Sequence, residues 1–163
     1  MPSLIETRPF TIHPDSYAWP SFRIFSERAI WLYLVLLVAI ASLIKLGMQL
    51  SVPISILTAA GLVGVAFGMS YLKYKAFLGK PENRQIYRNC VVSLTDDEVR
   101  QDYTDGSFMA IELFAVKTFR EVGDFFFVFA DPQHGIVVPK TAFESPEESR
   151  EFAERMRRAV GKK

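Results

Sequence analysis

Ile30-Trp31-Leu32-Tyr33-Leu34-Val35-Leu36-Leu37-Val38-Ala39-Ile40 decides how this chain is read. A helix on the surface of a soluble protein carries a polar face, and this stretch has none. It lies in an uncharged run from Ala29 to Ile44 that Lys45 closes, and a second uncharged run, Leu46 to Leu72, follows at once. Crossing a ~30 Å hydrocarbon core takes ~20 helical residues. The second run meets that length alone. The first meets it if Phe25 to Arg28 starts the helix at the interface and Lys45 snorkels at the other end. Between them, Gly47-Met48-Gln49-Leu50-Ser51-Val52-Pro53 has the composition of a tight turn. The reading is two antiparallel transmembrane helices, residues 25–46 and 53–73. A cleaved signal peptide fits poorly, because a long charged stretch precedes the first run and a second run follows it.

Lysine and arginine set the orientation. Arg23 and Arg28 precede the first span, Lys73, Lys75, Lys80, Arg84 and Arg88 follow the second, and the connecting loop has only Lys45. Basic flanks stay in the cytoplasm, so both termini are expected inside. Tyr17, Trp19, Phe22 and Phe25 on one flank, with Tyr71, Tyr74 and Phe77 on the other, suit an aromatic belt on that side. Ala60, Gly64 and Gly68 form a small-residue face on the second helix, a candidate for helix packing or for a homodimer. Packing against Ala39, Ala41 and Ser42 of the chain's own first helix is the favoured of the two readings, since that partner is tethered.

The whole chain has 163 residues, 50% hydrophobic and 23% charged, which excludes an intrinsically disordered chain. A net charge of +1 argues against a nucleic-acid partner. The single Cys90 rules out an intrachain disulfide and a cysteine-rich zinc site.

Charges return from Pro81 onward and short apolar runs alternate with turn signals. Residues 86–94, 98–103, 108–113, 115–122, 125–130 and 136–139 are expected as strands, with Asp105-Gly106 as the strongest hairpin signal. The period then changes. Phe152, Met156 and Val160 mark an amphipathic helix over 146–160, with Ser145 as N-cap, Pro146 at its first position, Glu148 completing a capping box and Gly161 as stop. Short antiparallel strands closed by a terminal helix are the pattern of a small pleckstrin-homology-like (PH-like) barrel or sandwich. The fold class expected is therefore an α+β membrane protein in three parts. These are a cytoplasmic segment 1–24 that can add a strand to the C-terminal sheet, a hairpin over 25–73 and a cytoplasmic PH-like domain over 74–163. Asp15 or Ser16 can start a helix that runs into the first span.

Chemistry is sparse. No phosphate-binding loop, dinucleotide fingerprint, nucleophile elbow or zinc-protease motif is present. Asp96-Asp97-Glu98 reads as a solvated turn rather than a cation site, and His134 as an exposed turn residue. Cys90 reads as a buried structural thiol, and Phe125-Phe126-Phe127-Val128-Phe129 as a buried central strand. No catalytic, metal or cofactor residue is assigned. Two basic sets keep functional interest. Lys73, Lys75, Lys80, Arg84 and Arg88 form a candidate lipid-headgroup contact, although topology alone explains them. Arg155, Arg157, Arg158, Lys162 and Lys163 suit the negative end of a helix dipole.

Val92-Ser93-Leu94-Thr95-Asp96-Asp97-Glu98-Val99, Phe125 to Phe129 and Ile136-Val137-Val138-Pro139-Lys140-Thr141-Ala142-Phe143, together with the N-terminal strand and the hairpin, resemble bacterial YcxB-like membrane proteins. The resemblance covers most of the chain and departs at Ile111-Glu112-Leu113-Phe114, where a tryptophan is expected. It implies a bacterial inner-membrane location and a cytosolic PH-like domain, and it supplies no catalytic residues. The function expected is a non-enzymatic membrane protein whose β domain binds a protein partner or lipid headgroups. A small oligomeric transport or channel subunit, or an accessory subunit of a larger complex, is the alternative.

Overall fold

A computed structural model describes residues 4–27, 30–48, 51–80, 83, 87–131 and 134–161. In chain order the elements are β1 (Ile5–Glu6), α1 (Pro14–Glu27), α2 (Ile30–Met48), α3 (Val52–Leu78), β2 (Cys90–Leu94), β3 (Glu98–Tyr103), β4 (Phe108–Glu112), β5 (Thr118–Val122), β6 (Phe125–Phe129), β7 (Gly135–Pro139) and α4 (Pro146–Gly161). They form two compact units, a helical one of residues 14–83 and a strand-rich one of residues 1–13 with 84–163.

In the helical unit, α2 and α3 are long and apolar enough to cross a membrane, with mean hydropathies of 2.3 and 1.9 over their most apolar windows. No residue of the α2 window is buried, and Trp31, Leu32, Val35, Val38 and Leu43 stand exposed. The two helices pack through Ser55 and Ala59 of α3, both buried, and through the edge-on contact of Tyr33 with Phe67 at 5.6 Å. Ser55 and Ala59 lie one turn apart, so small side chains at the seam let the backbones approach.

Residues 14–27 are helical, in keeping with a helix starting at Asp15 or Ser16, and α2 is described from Ile30. Arg28 and Ala29 lie outside the described residues. The burial of Tyr17, Ala18, Ser21 and Phe22 on one side of α1 follows helical spacing. Phe22 meets Phe67, Tyr71 and Tyr74 of α3 at 5.2–5.6 Å between ring centroids. The rings expected as a belt thus pack on one another. The other end of α3 also differs from expectation, since the helix runs past residue 73 to Leu78. Its last carbonyls are satisfied by Gly79 N–H to Lys75 O at 3.2 Å and by the Asn83 amide to Phe77 O at 2.6 Å.

The strand unit has two antiparallel sheets, ordered β1-β2-β3-β4 and β5-β6-β7. Ile5, Leu94, Val99 and Ile111 stand opposite one another across the first sheet, and all four are buried. The N-terminal segment is therefore part of the sheet. Beyond β1, Thr7 N–H donates to Val92 O at 2.9 Å, Val92 N–H to Thr7 Oγ1 at 2.9 Å, and Phe10 bridges Cys90 in both directions at 2.9 and 3.0 Å. In the second sheet β6 is central, and Phe125 to Val128 are buried on both of its faces. Phe126, Phe143 and Phe152 form a ring cluster with centroids 5.2–5.9 Å apart, which fastens α4 to β6.

Turn chemistry follows the sequence at Asp105-Gly106. Gly106 takes φ 83°, and Ser107 N–H bonds Asp105 Oδ1 at 3.0 Å. Three strand expectations shift. The strand expected from residue 86 begins at Cys90; Ile86 lies outside the described residues. Residues 113–115 form a 3-10 turn, so the strand expected from 115 starts at Thr118. The last strand begins one residue early, at Gly135. The capping of α4 is also rearranged. Glu148 N–H donates to Ser145 Oγ at 3.2 Å, but the Glu148 carboxylate reaches Glu144 N–H at 3.1 Å instead of the N-cap's own. Gly161 is the last residue of α4, and Lys162 and Lys163 beyond it lie outside the described residues.

Phe152→Ala, 1% exposed in wild type, should cost about 3–5 kcal/mol through lost burial and a cavity. Phe114→Ala, 76% exposed, should stay within about 0.5 kcal/mol. Thermal unfolding of the full chain in mild detergent, followed by near-ultraviolet circular dichroism, compares the two.

Candidate functional site

The basic set around the end of α3 divides when its partners are traced. Lys73 and Lys75 lie on α3 itself rather than after a span. Lys75 Nζ is 2.8 Å from Asp15 Oδ1 on α1, so its charge is matched within the helical unit. Arg88, in the strand unit, is paired with Asp105. Arg84 lies outside the described residues. Lys73 and Lys80 are exposed, and no ion pair is formed by either among the described residues. Among the described residues, Lys73 and Lys80 therefore remain for an anionic surface, of the five that the sequence reading has acting together.

The small-residue face is also placed differently. A Cβ added at Gly64 or Gly68 would meet nothing within 4 Å, and Ala60 is exposed. The seam with α2 runs through Ser55 and Ala59, one residue earlier on the helical wheel. Ala60, Gly64 and Gly68 point away from the chain's own first helix, against the favoured reading. On α2, Ala39 and Ser42 are exposed and Ala41 is half-buried.

Two clefts of the strand unit are lined by described residues. One, of about 440 Å³, lies between the β2–β3 turn, the 3-10 turn and the end of α4. Arg155 crosses its floor, donating to Asp96 Oδ1 at 2.6 Å and to Thr95 O at 3.0 Å. Exposed Phe114 forms part of its wall, beside Leu113. Asp96 thus ties the turn to α4, and among the described residues no group of three or more His, Cys, Asp or Glu could hold a metal ion. The other cleft, of about 260 Å³, contains Glu121, which bonds Lys140 Nζ at 2.8 Å and Arg157 Nη2 at 2.6 Å. The hydrogen bond from Lys140, together with the charges of Lys140 and Arg157, holds the Glu121 carboxyl below its ordinary value against the opposing effect of burial.

The remaining reactive groups have structural placements. His134 is exposed with Nδ1 2.8 Å from Asp131 Oδ2, and its backbone N–H bonds Asp131 Oδ1 at 2.9 Å, closing the turn before β7. Burial pushes the Cys90 thiol up, and the Gln101 amide that donates to Sγ at 3.1 Å only partly offsets this. Arg157 and Arg158 are exposed on α4, paired with Glu121 and Glu154, while Lys162 and Lys163 lie outside the described residues.

A helix starting at Asp15 or Ser16 is expected from the sequence, but its packing against α3 is not, nor are the ion pairs that consume Lys75, Arg88, Arg155 and Arg157. The spacing of Tyr17, Ala18, Ser21 and Phe22 is the available signal for that packing. The ion pairs join residues remote in sequence and leave none. No protein-family model matches the chain, and no curated protein or solved structure is similar to it.

Ala59→Leu should disrupt the α2–α3 seam and destabilise the helical unit by about 1–3 kcal/mol, while Gly64→Leu leaves the seam intact. Thermal unfolding in detergent reads both. Glu121, with its folded value depressed, adds stability that is present above the ordinary carboxyl value of 4.5 and is lost as pH falls through the folded value. The midpoint of unfolding should therefore drop on acidification below that value, and Glu121→Gln should flatten this part of the profile. Cys90 should react with maleimide only after denaturation, as a mass-spectrometric time course would record.

Proposed function

We propose that the chain is a non-enzymatic integral membrane protein of the YcxB-like type, in which α2 and α3 cross the bilayer as a hairpin and the strand unit is a PH-like cytoplasmic domain that binds a protein partner. The observation that carries the membrane reading is the exposure of α2. A helix of mean hydropathy 2.3 without a buried residue in that window needs an apolar solvent. The connectivity supports two crossings. β1 and β2 are neighbours in one sheet, and both apolar helices lie between them in the chain. An even number of crossings returns the chain to the side where it began. The excess of lysine and arginine outside the α2–α3 connection supports a cytoplasmic location for that side, in an inner membrane.

The strand orders β1-β2-β3-β4 and β5-β6-β7, followed by α4, support the PH-like reading. A protein partner is favoured over a lipid headgroup for this domain. The cations of its clefts are neutralised internally, and the larger cleft presents Phe114, 76% exposed, to an apolar side chain. The outward Ala60, Gly64 and Gly68 face favours a second reading, a small oligomeric membrane subunit.

Impermeant maleimide labelling tests the topology. Ser51→Cys should label in intact cells and Glu154→Cys only after lysis, with buried Cys90 as a silent background. Recovery of the chain in the soluble fraction, or labelling of both sites from one side, overturns the reading. For the partner, full-length protein taken from its membrane in mild detergent should retain a specific protein that Phe114→Asp loses.

A further inference from the structure

Lys45 is the only charged residue between Arg28 and Lys73. It lies in the last turn of α2, is exposed, and forms no ion pair among the described residues. An open groove of about 320 Å³ starts at Lys45 and runs between α2 and α3. Leu37, Val38 and Ala41 line it on α2, and Val52 and Ile56 on α3. From Lys45 back to Leu37 the groove follows the helix for ~12 Å. Its volume is at the lower end of the ~300–1,000 Å³ usual for ligand sites. Ser42 and Ser55, also on its wall, already give their hydroxyl protons to Val38 O at 2.8 Å and Ser51 O at 3.2 Å. Among the described residues no carboxylate lines it.

We infer that this groove is a binding site for one anionic phospholipid, with an acyl chain along the α2–α3 crevice and the phosphate on the Lys45 ammonium. The inference rests on the membrane reading above, which places the groove in the leaflet at the hairpin turn. The charge of Lys45 then selects the ligand. An ammonium with three donors and no acceptor among the described residues takes its acceptor from the surroundings, and at headgroup depth the abundant acceptor is a phosphodiester. A zwitterionic lipid brings a cation of its own that competes for that phosphate, so a net-anionic lipid is preferred. The site lies at the opposite end of α3 from Lys73 and Lys80, and it joins an apolar slot to a single charge, which those two exposed lysines do not.

The test uses full-length protein in mild detergent, incubated with an equimolar mixture of phosphatidylglycerol and phosphatidylcholine and examined by native mass spectrometry. Ser51→Cys labelling in the same cells reports insertion of the hairpin. The expected result is one phosphatidylglycerol retained per chain in preference to phosphatidylcholine. Retention should fall about fivefold in Lys45→Ala, as suits a single lysine at a lipid phosphate. It should be kept in Lys45→Arg and lost in Ala41→Phe, which fills the slot and leaves the charge. With the hairpin inserted, equal retention of the two lipids overturns the site, as does an unchanged Lys45→Ala or a loss confined to Lys73→Ala/Lys80→Ala. A hairpin that does not insert overturns both the site and the membrane reading, and the labelling distinguishes the two failures.

Discussion

The pairing of residues 4–13 with β2 is the constraint on which the rest depends. Ile5 completes the buried row Ile5, Leu94, Val99 and Ile111, and Thr7 and Phe10 continue the ladder beyond the short β1. Arg8 N–H to Ala142 O at 2.8 Å also fastens the segment to the turn after β7. A two-residue strand has little stability of its own. Here it is held by ladder bonds on one side and by apolar burial beneath, with Ile5, Phe10 and Ile12 all in the core. Residues 14 to 83, the helical unit, are an insertion in the chain between the two segments of the strand unit.

The insertion follows different packing rules. Its apolar side chains face outward along α2 and most of α3, and the contacts it makes with itself are small or aromatic. Ser55 and Ala59 allow close approach near the turn, while Phe22, Phe67, Tyr71 and Tyr74 fill the wider end. Asp15 with Lys75 then joins the start of α1 to the end of α3. In the strand unit the order is inverted, with a ring cluster of Phe126, Phe143 and Phe152 inside and ion pairs at the rim.

Elements with local causes are legible in the sequence. The two apolar runs, the Asp105-Gly106 turn, the Phe125–Phe129 strand and the proline-started α4 each need only their own residues. Boundaries set by distant partners are not legible. α1 packs by its rings on α3, and the strand start at Cys90 coincides with its bridge to Phe10. The small-residue face shows the limit most clearly. Ser55 and Ala59 have the same four-residue spacing as Ala60, Gly64 and Gly68, so periodicity alone cannot tell the seam from the outer face. The basic set at the end of α3 shrinks for a similar reason, because Asp15 and Asp105 are remote in sequence from Lys75 and Arg88.

The early position of β1 in the chain has a consequence for biosynthesis. Ile5 leaves the ribosome about 90 residues before its partner Leu94, which at ~5–20 residues per second is a delay of roughly 5–18 s. During that interval residues 4–13 have no sheet to join, and both apolar helices are made. In the proposed topology, a chain that threaded only one helix would leave β1 and β2 on opposite sides of the bilayer. The four-stranded sheet would then lack its edge strand, exposing a row of unpaired backbone groups on β2. In that topology the sheet can be completed only when both helices have been threaded, so strand pairing and the number of crossings are tied together by β1 and β2.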